Sequence, residues 1–551
     1  MKNRIVVISI LLLFFLQAWS QQIATGDNQV KMEWWRNAKF GMFIHWGIYS
    51  VNAGMWEEKT DGAEWMMNSR RISRPLYASY VQMFNPVKFN ADEWVQLAKD
   101  AGQKYLVITA KHHDGFAMYK SKVSDYNVYD GTPFKRDVVG ELSAACQKKD
   151  MNFGVYYSQA LDWYHPGGTA HGSEWDPAQV GSTDKYIDEV SVPQVQELLN
   201  NYRNIKVFWW DQGGNMKHEH AAKLAAVLKQ HPSIITNNRL GGGFEGDIIT
   251  PEQFIPATGY PGKNWEVCMT MNNHWGYSAY DENWKPTKEL LLKLVEIVSK
   301  GGNFLLNVGP NRYGVIPEIC QRELREIGRW LNKNGESIYG TESSPFPYLS
   351  FGRSTRKGNK LYLHILQWNR MISVPCELKV KRAYLLADSA QTNIKSFSKD
   401  GYTYFKLPEY APDRTDAVLA VECQSPVTVQ AIPTQGLPMY AGGNKIQQLN
   451  DGDFHSEWSP NQNRAVIEFS LPEAQHIQCL GSVEPWSSWS GIYQTYRVEA
   501  MVNGQWSELA SGHSDGTGIT LPFHAVKAKQ FRITVSNTKS DIKLEELMLF
   551  N

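Results

Sequence analysis

Between about residues 30 and 338 the chain alternates short apolar runs with stretches whose apolar positions recur every three to four residues. The runs predict strands at 40–46, 105–113, 152–158, 207–212, 234–239, 265–270 and 303–309. The recurring stretches predict helices. Asn90 caps one, with Glu93 three residues on and Trp94, Leu97 and Ala98 as its apolar face. Others are expected at 138–148, 192–201, 220–230, 287–300 and 317–332, the last ending before Gly335. Repeated strand–helix units imply a parallel sheet. Strand after strand ends in polar or aromatic residues: His45-Trp46, Lys111-His-His-Asp114, Tyr156-Tyr-Ser158, Trp210-Asp-Gln212 and Asn237-Asn-Arg239. In a (β/α)8 barrel the C-terminal rim of the strands carries the active site, whereas a doubly wound sheet gathers such residues at one switch point. The pattern therefore predicts an α/β fold with a (β/α)8-type barrel. No GxGxxG or P-loop sequence follows any strand, so no nucleotide site is expected.

After about residue 339 the helical period disappears. Short alternating segments at 360–366, 377–380, 382–386 and 417–421 read as strands of a β-sandwich over 339–425. Gln424-Ser-Pro and Ile432-Pro-Thr-Gln-Gly-Leu-Pro438 then form a linker. A second all-β region over 438–551 has strand candidates at 465–469, 477–483, 496–502, 530–535 and 544–550. A length of 551 residues fits this count of domains. The start differs from all of it. Lys2 and Arg4 precede an apolar run over 5–16 broken only by Ser9, and Ala18-Trp-Ser20 offers small residues for cleavage. This is the layout of a signal peptide at 1–20, too short for a membrane span. Export to the periplasm or the exterior is expected, without membrane insertion.

Lys plus Arg and Asp plus Glu are 56 each, so no global field exists to hold nucleic acid. The 20 Trp and 26 Tyr supply flat faces on which sugar rings stack, and large β-rich cores also use such residues. Cys146, Cys268, Cys320, Cys376, Cys423 and Cys479 are scattered, form no CxxC pair and read as small buried apolar residues.

The chemistry centres on Asp211, in Val207-Phe-Trp-Trp-Asp-Gln-Gly-Gly214. Four apolar residues before it and glycines after it place a carboxylate at a strand tip, where it can attack an anomeric carbon. A retaining glycosidase needs a second carboxylic acid about 5–5.5 Å away, with a pKa above that of the nucleophile. Two candidates follow in the chain. Glu252 lies in Thr250-Pro-Glu-Gln-Phe254, in a loop, and Glu266 lies at or just inside the start of the next strand. The start of a barrel strand is on the stability side, which favours Glu252 and keeps Glu266 as its rival. His45, His112 and His113 can bond sugar hydroxyls through either ring nitrogen. With no HxH or HExxH spacing, neither a metal nor another cofactor is expected. Glu64-Trp65, Arg239 and Trp275 complete a polar and aromatic rim suited to a monosaccharide. Lys217-His-Glu-His220 opens a helix and reads as a solvated surface.

At these residues the chain resembles glycoside hydrolase family 29, the α-L-fucosidases. The matching segments include Lys39-Phe-Gly-Met-Phe-Ile-His-Trp-Gly47, Glu64-Trp65, Thr109-Ala-Lys-His-His-Asp-Gly-Phe116, Phe153-Gly-Val-Tyr-Tyr-Ser158, Phe208-Trp-Trp-Asp211, Asn238-Arg239, Thr250-Pro-Glu252, Trp265-Glu266 and Asn303-Phe-Leu-Leu-Asn-Val-Gly-Pro310. The resemblance implies a retaining exo-glycosidase acting on fucosylated oligosaccharides or glycoconjugates. It puts the nucleophile on Asp211 and hydroxyl contacts on His45, Glu64, Trp65, His112, His113, Tyr156 and Arg239. It also makes Trp275 the wall beside the C6 methyl. A barrel glycosidase for another sugar, such as α-galactose, and an inactive carbohydrate-binding protein are the competing expectations. The 438–551 region is similar to a discoidin (coagulation factor 5/8 type C) module, through Leu449-Asn-Asp-Gly-Asp453, Trp458, Ala465-Val-Ile-Glu-Phe469 and Glu545-Glu-Leu-Met-Leu-Phe550.

Overall fold

A computed structural model of the chain describes residues 30–168, 174–213, 216–428, 431–432, 434, 436–454, 456–485, 493–514 and 516–550. The expected signal peptide, Gly214, and Pro433 and Gln435 of the expected linker lie outside these residues. Seven strands form a curled parallel sheet: β1 (Phe40–Ile44), β2 (Tyr105–Lys111), β3 (Asn152–Ser158), β4 (Ile205–Asp211), β5 (Ile235–Thr236), β6 (Glu266–Thr270) and β7 (Asn303–Val308). Their order is β5-β4-β3-β2-β1-β7-β6. β1, β2, β6 and β7 are buried along their whole length, as a parallel sheet covered on both faces requires. Between them run α1 (Ala91–Asp100), α2 (Val138–Lys148), α3 (Val192–Asn201), α4 (His218–Lys229) and α5 (Thr287–Ser299), and α6 (Glu318–Asn334) follows β7.

The helix starts have visible causes. Asn90 Oδ1 accepts from the Glu93 amide at 3.3 Å while its Nδ2 donates to Glu93 Oε1 at 2.9 Å. Asp137 caps α2 in the same manner through the Gly140 amide. The largest departure from the expected strands is β5, reduced to two residues. Asn237 explains it. Its side chain accepts from the Trp210 amide at 2.8 Å and donates to the Trp210 carbonyl at 2.9 Å, so a side-chain amide replaces the ladder there. β1 stops at Ile44, and the Trp46 amide goes instead to the Thr109 hydroxyl at 3.0 Å.

The register sets the heights of the functional side chains. Thr109 is level with Tyr156, Tyr156 with Trp209, and Ser158 with Asp211. Strand alternation sends Tyr156, Trp209 and Asp211 to one face. Phe43 lies 6.0 Å from Tyr156 and 5.1 Å from Trp209 between ring centroids, a packed layer beneath the strand tips.

The described chain divides into two compact units. The first comprises 30–250, 270–285 and 305–328, and the second 251–269, 286–304 and 329–550. Within the second, β8 (Gly352–Lys357), β9 (Lys360–Ile365), β11 (Val380–Leu385) and β14 (Ala417–Cys423) form one antiparallel sheet. β10 (Met371–Val374), β12 (Ser396–Lys399) and β13 (Tyr402–Lys406) form another. Leu363, Ala383 and Leu419 of the first meet Ile372, Val374 and Phe405 of the second in one core. The remaining strands form an eight-stranded sheet dominated by the long antiparallel pair Arg464–Val483 and Gly518–Ser536. Its core holds Ile467, Phe469, Leu480, Val498, Phe531 and Leu547. The six cysteines are free thiols, all buried except the half-buried Cys376. No helix among the described residues is long and apolar enough to cross a membrane.

Candidate active site

Asp211 ends β4, and its side chain is 11% exposed. Oδ2 accepts from the Tyr156 hydroxyl at 2.8 Å, Oδ1 accepts from Arg239 Nη1 at 2.9 Å, and His113 Nε2 stands 3.5 Å from Oδ2. Burial alone pushes this carboxyl up. The Arg239 charge, His113 and the two hydrogen bonds outweigh burial and hold it below the usual carboxylate range. The group is therefore an anion at neutral pH with little water around it, the state a nucleophile needs.

Flat groups from successive strands stack beneath it. The His112 ring lies on Tyr156 at 5.5 Å and 12°, Tyr156 on Trp209 at 5.6 Å and 18°, and the Arg239 guanidinium sits 4.7 Å over Trp209. Thr250 locks Arg239 by accepting from Nε at 3.0 Å on its hydroxyl and from Nη2 at 2.9 Å on its carbonyl. Opposite, His45 Nδ1 lies 2.7 Å from Asn307 Oδ1. Asn307 Nδ2 donates to the Trp275 carbonyl at 2.7 Å, so Oδ1 is the acceptor and His45 carries its proton on Nδ1. Burial pushes His45 down to about 3 and His112 well below the ordinary imidazole value. Both rings are neutral, and His45 Nε2 is free to accept from a hydroxyl. Trp275 leans on His45 at 4.9 Å and on Phe43 at 5.9 Å. Glu64 Oε2 accepts from the Gly276 amide at 2.7 Å, which fixes the loop presenting Trp275. Trp65, 38% exposed, meets His113 at 5.1 Å.

Behind the His pair lies a second buried cluster. Lys111 Nζ donates to Asp162 Oδ2 at 2.8 Å and to the Tyr186 hydroxyl at 2.6 Å, and His165 Nδ1 is 2.9 Å from the same carboxylate oxygen. This cluster anchors the Lys111-His112-His113 tip from below.

The structure thus brings together His45, Glu64, Trp65, His112, His113, Tyr156, Asp211, Arg239 and Trp275 within the first unit. Glu252 and Glu266 belong to the second. Glu252 is half-buried, lies in the irregular segment between β5 and β6, and makes an isolated parallel bridge to Cys268, within β6. Glu266 is the first residue of β6 and is 1% exposed. The Lys217–His220 segment is only partly a solvated surface, since His220 is buried and its Nε2 lies 2.8 Å from Asp184 Oδ1. Sequence reasoning passed over Asn307, Thr250 and Gln159. Asn307 had a signal, as an amide near the end of the apolar, fully buried run of β7. Among the described residues no three His, Cys, Asp or Glu side chains group as a metal ion would need.

An ionised carboxylate in a largely buried cup, faced by imidazoles and aromatic planes, is the equipment of a glycoside hydrolase. Comparison with known proteins gives the family. Residues 16–336 match the family model described as alpha-L-fucosidase. The plasma alpha-L-fucosidase of Rattus norvegicus is 34% identical over 347 residues, which is 58% of this chain and 72% of that protein. The alpha-L-fucosidase structure from Vibrio sp. strain EJY3 aligns with a TM-score of 0.73 at 29% identity, covering 95% of this chain and 98% of that one. A GH29 alpha-L-fucosidase from Bacteroides thetaiotaomicron, solved as a trapped covalent intermediate with 2-fluoro-fucosyl fluoride, aligns with a TM-score of 0.66 at 26% identity, covering 72% of this chain and 96% of that one. The chain belongs to the α-L-fucosidase family, glycoside hydrolase family 29, with further all-β domains on its C-terminal side.

Proposed function

We propose that Asp211 is the nucleophile and Glu252 the general acid and base of a two-step displacement at C1 of α-L-fucose. The enzyme is a retaining α-L-fucosidase whose substrates are fucosylated glycoconjugates. In the first step Asp211 Oδ attacks C1, and the proton of Glu252 passes to the departing glycosidic oxygen. In the second, Glu252 takes a proton from water, which attacks C1 and releases fucose and the free Asp211 carboxylate. The observation that carries the nucleophile is the trio of Tyr156, Arg239 and His113 gathered on one carboxylate at the tip of β4.

Glu252 is favoured over Glu266 by height along the sheet. Its bridge partner Cys268 lies two residues beyond the strand start at which Glu266 is buried. His45, His112, His113, Glu64, Trp65, Tyr156 and Arg239 are read as hydroxyl-binding groups, with Trp275 as the wall for the methyl. Fucose carries a methyl where galactose carries a hydroxymethyl, so 4-nitrophenyl α-L-fucoside should be cleaved and the α-galactoside left intact. Asp211→Gly should abolish turnover, and azide should restore it. Glu252→Ala should slow deglycosylation and also respond to azide. If Glu266→Ala shows that azide pattern and Glu252→Ala does not, the acid and base is Glu266.

The closed (β/α)8 reading is supported by the segment between β5 and β6, in which Ile248 bridges Asn237 and Glu252 bridges Cys268, both in parallel. We read 21–338 as the catalytic domain, 339–425 as a β-sandwich and 438–551 as a discoidin-like module, with export directed by residues 1–20. Binding of the isolated 438–551 segment to a galactose-type glycan array tests the module. Recovery of mature protein beginning at Gln21 outside the cytoplasm tests the export.

A further inference from the structure

We infer that Gln159 is a positioning residue that clamps the tip of β4, which carries Asp211, to the chain segment that carries Arg239. The inference rests on Asp211 being the nucleophile. Gln159 directly follows β3 and is fully buried. Its Oε1 accepts from the backbone amide of Asp211 at 3.0 Å. Its Nε2 donates to the carbonyls of Arg239 at 2.7 Å and Leu240 at 3.2 Å. One amide therefore holds the main chain of the carboxylate and the main chain of its guanidinium partner at once. Only this orientation of the amide satisfies all three contacts, because the two carbonyls need a donor and the Asp211 amide needs an acceptor.

The surrounding backbone shows why a clamp is needed. Past Asp211 the ladder ends, and Gln212 takes a left-handed φ of 57°. Gly213 then packs against the Arg239 and Leu240 carbonyls so closely that any Cβ there would collide with them, and a Cβ on Gly241 would collide with the Gly213 carbonyl. The two main chains thus meet at Gly213 and Gly241 with no room for a side chain between them. Gln159, reaching from the neighbouring strand, supplies the hydrogen bonds that fix their separation. Arg239 is locked on its other side by Thr250 and by Trp209. The 2.9 Å contact between Arg239 and Asp211 is therefore set by main-chain positions that Gln159 holds.

The side chain touches neither Asp211's carboxylate nor any position open to sugar, so its loss should act through geometry alone. Gln159→Met keeps the volume and removes all three hydrogen bonds. A misplacement of about 1 Å at a reacting group costs up to about 100-fold. We expect kcat/KM on 4-nitrophenyl α-L-fucoside to fall by about 10- to 100-fold, mostly in kcat. The acid limb of the pH profile should move to higher pH, because Asp211 loses part of its hold on Arg239. Gln159→Leu removes the same three hydrogen bonds with a neutral side chain of similar volume, so it should match Gln159→Met, and it serves if Gln159→Met does not fold. Activity within twofold of the parent, or a loss of activity with an unmoved acid limb, overturns the clamp. The parent reading fails separately, if Asp211→Gly keeps turnover or is not rescued by azide.

Discussion

Arg239 offers the sharpest test of how Asp211, the proposed nucleophile, is kept ionised. Its Nη1 lies 2.9 Å from Asp211 Oδ1, and the two side chains are 18% and 11% exposed, so the pair sits largely out of water. With charge centres about 4 Å apart and an effective dielectric of about 20, the attraction is about 4 kcal/mol. Tyr156 and His113 remain when Arg239→Met removes the cation, and local water refills part of the gap. Even a third of the attraction, about 1.4 kcal/mol, is worth about one pH unit. The sign follows from the cause. Arg239 holds the Asp211 carboxyl below its ordinary value against the opposing push of burial, so removing it raises that value. The ionised form of Asp211 is then lost at a higher pH as the solution is acidified. A profile of kcat/KM on 4-nitrophenyl α-L-fucoside from about pH 3 to 8 should show the acid limb moved up by about one unit or more. Thr250→Val keeps the charge and removes only the bond to Nε at 3.0 Å, so its shift should be smaller. An acid limb that stays in place in Arg239→Met, with the loss confined to KM, would mean that Arg239 binds sugar and has no hold on Asp211.

Three further outcomes follow from buried charges. Burial pushes His45 down to about 3 from an ordinary 6.5, so the unfolded chain takes up a proton that the folded one refuses as pH falls. Stability should decline from about pH 6.5 towards pH 3, and thermal melts of His45→Gln should show a shallower decline. Lys111→Met leaves the fully buried Asp162 carboxylate without its ammonium partner at 2.8 Å. A buried pair broken on one side costs about 3–5 kcal/mol, which chemical denaturation should register as a lower midpoint at pH 7. Burial first, then the nearby carboxylates of Glu457, Asp453 and Glu546, push Glu545 up to about 8. Here the folded state keeps a proton that the unfolded state has lost, so stability falls as pH rises through about 4.5 to 8. Glu545→Gln should raise the melting temperature at about pH 9 and leave it nearly unchanged at about pH 4.

The catalytic half of the fold was legible because its strands are apolar on both faces. Asn152–Ser158, Val138–Lys148 and Val192–Asn201 occupy the spans that their periodicity predicts. What failed locally was the length of β5, where Asn237 bonds the β4 backbone through its side chain. A hydropathy pattern cannot register that exchange, since an amide at a strand end looks like a rim residue whichever way it turns. The cup around Asp211 was legible for a related reason. His45, His112, His113, Tyr156 and Asp211 stand at or just past strand tips, where the shift from apolar to polar is abrupt, while Glu64, Trp65 and Trp275 lie outside the strands. The parallel register then brings Ser158 level with Asp211 and Tyr156 level with Trp209. Residues that act by holding others carry no such mark. Gln159 follows a strand as many polar residues do, and its role depends on two carbonyls 80 and 81 positions away in the chain.

The two glutamates show the same divide. Glu266 begins a buried strand and Glu252 precedes one in a segment without regular period, and the sequence alone ranks them only by that difference. The bridge from Glu252 to Cys268 adds a height along β6, above the buried start occupied by Glu266. In a parallel sheet height is what separates the catalytic end from the stability end, because every strand tip faces the same way. The ranking of the acid and base thus depends on one backbone pairing between a segment of irregular chain and a strand sixteen residues further on.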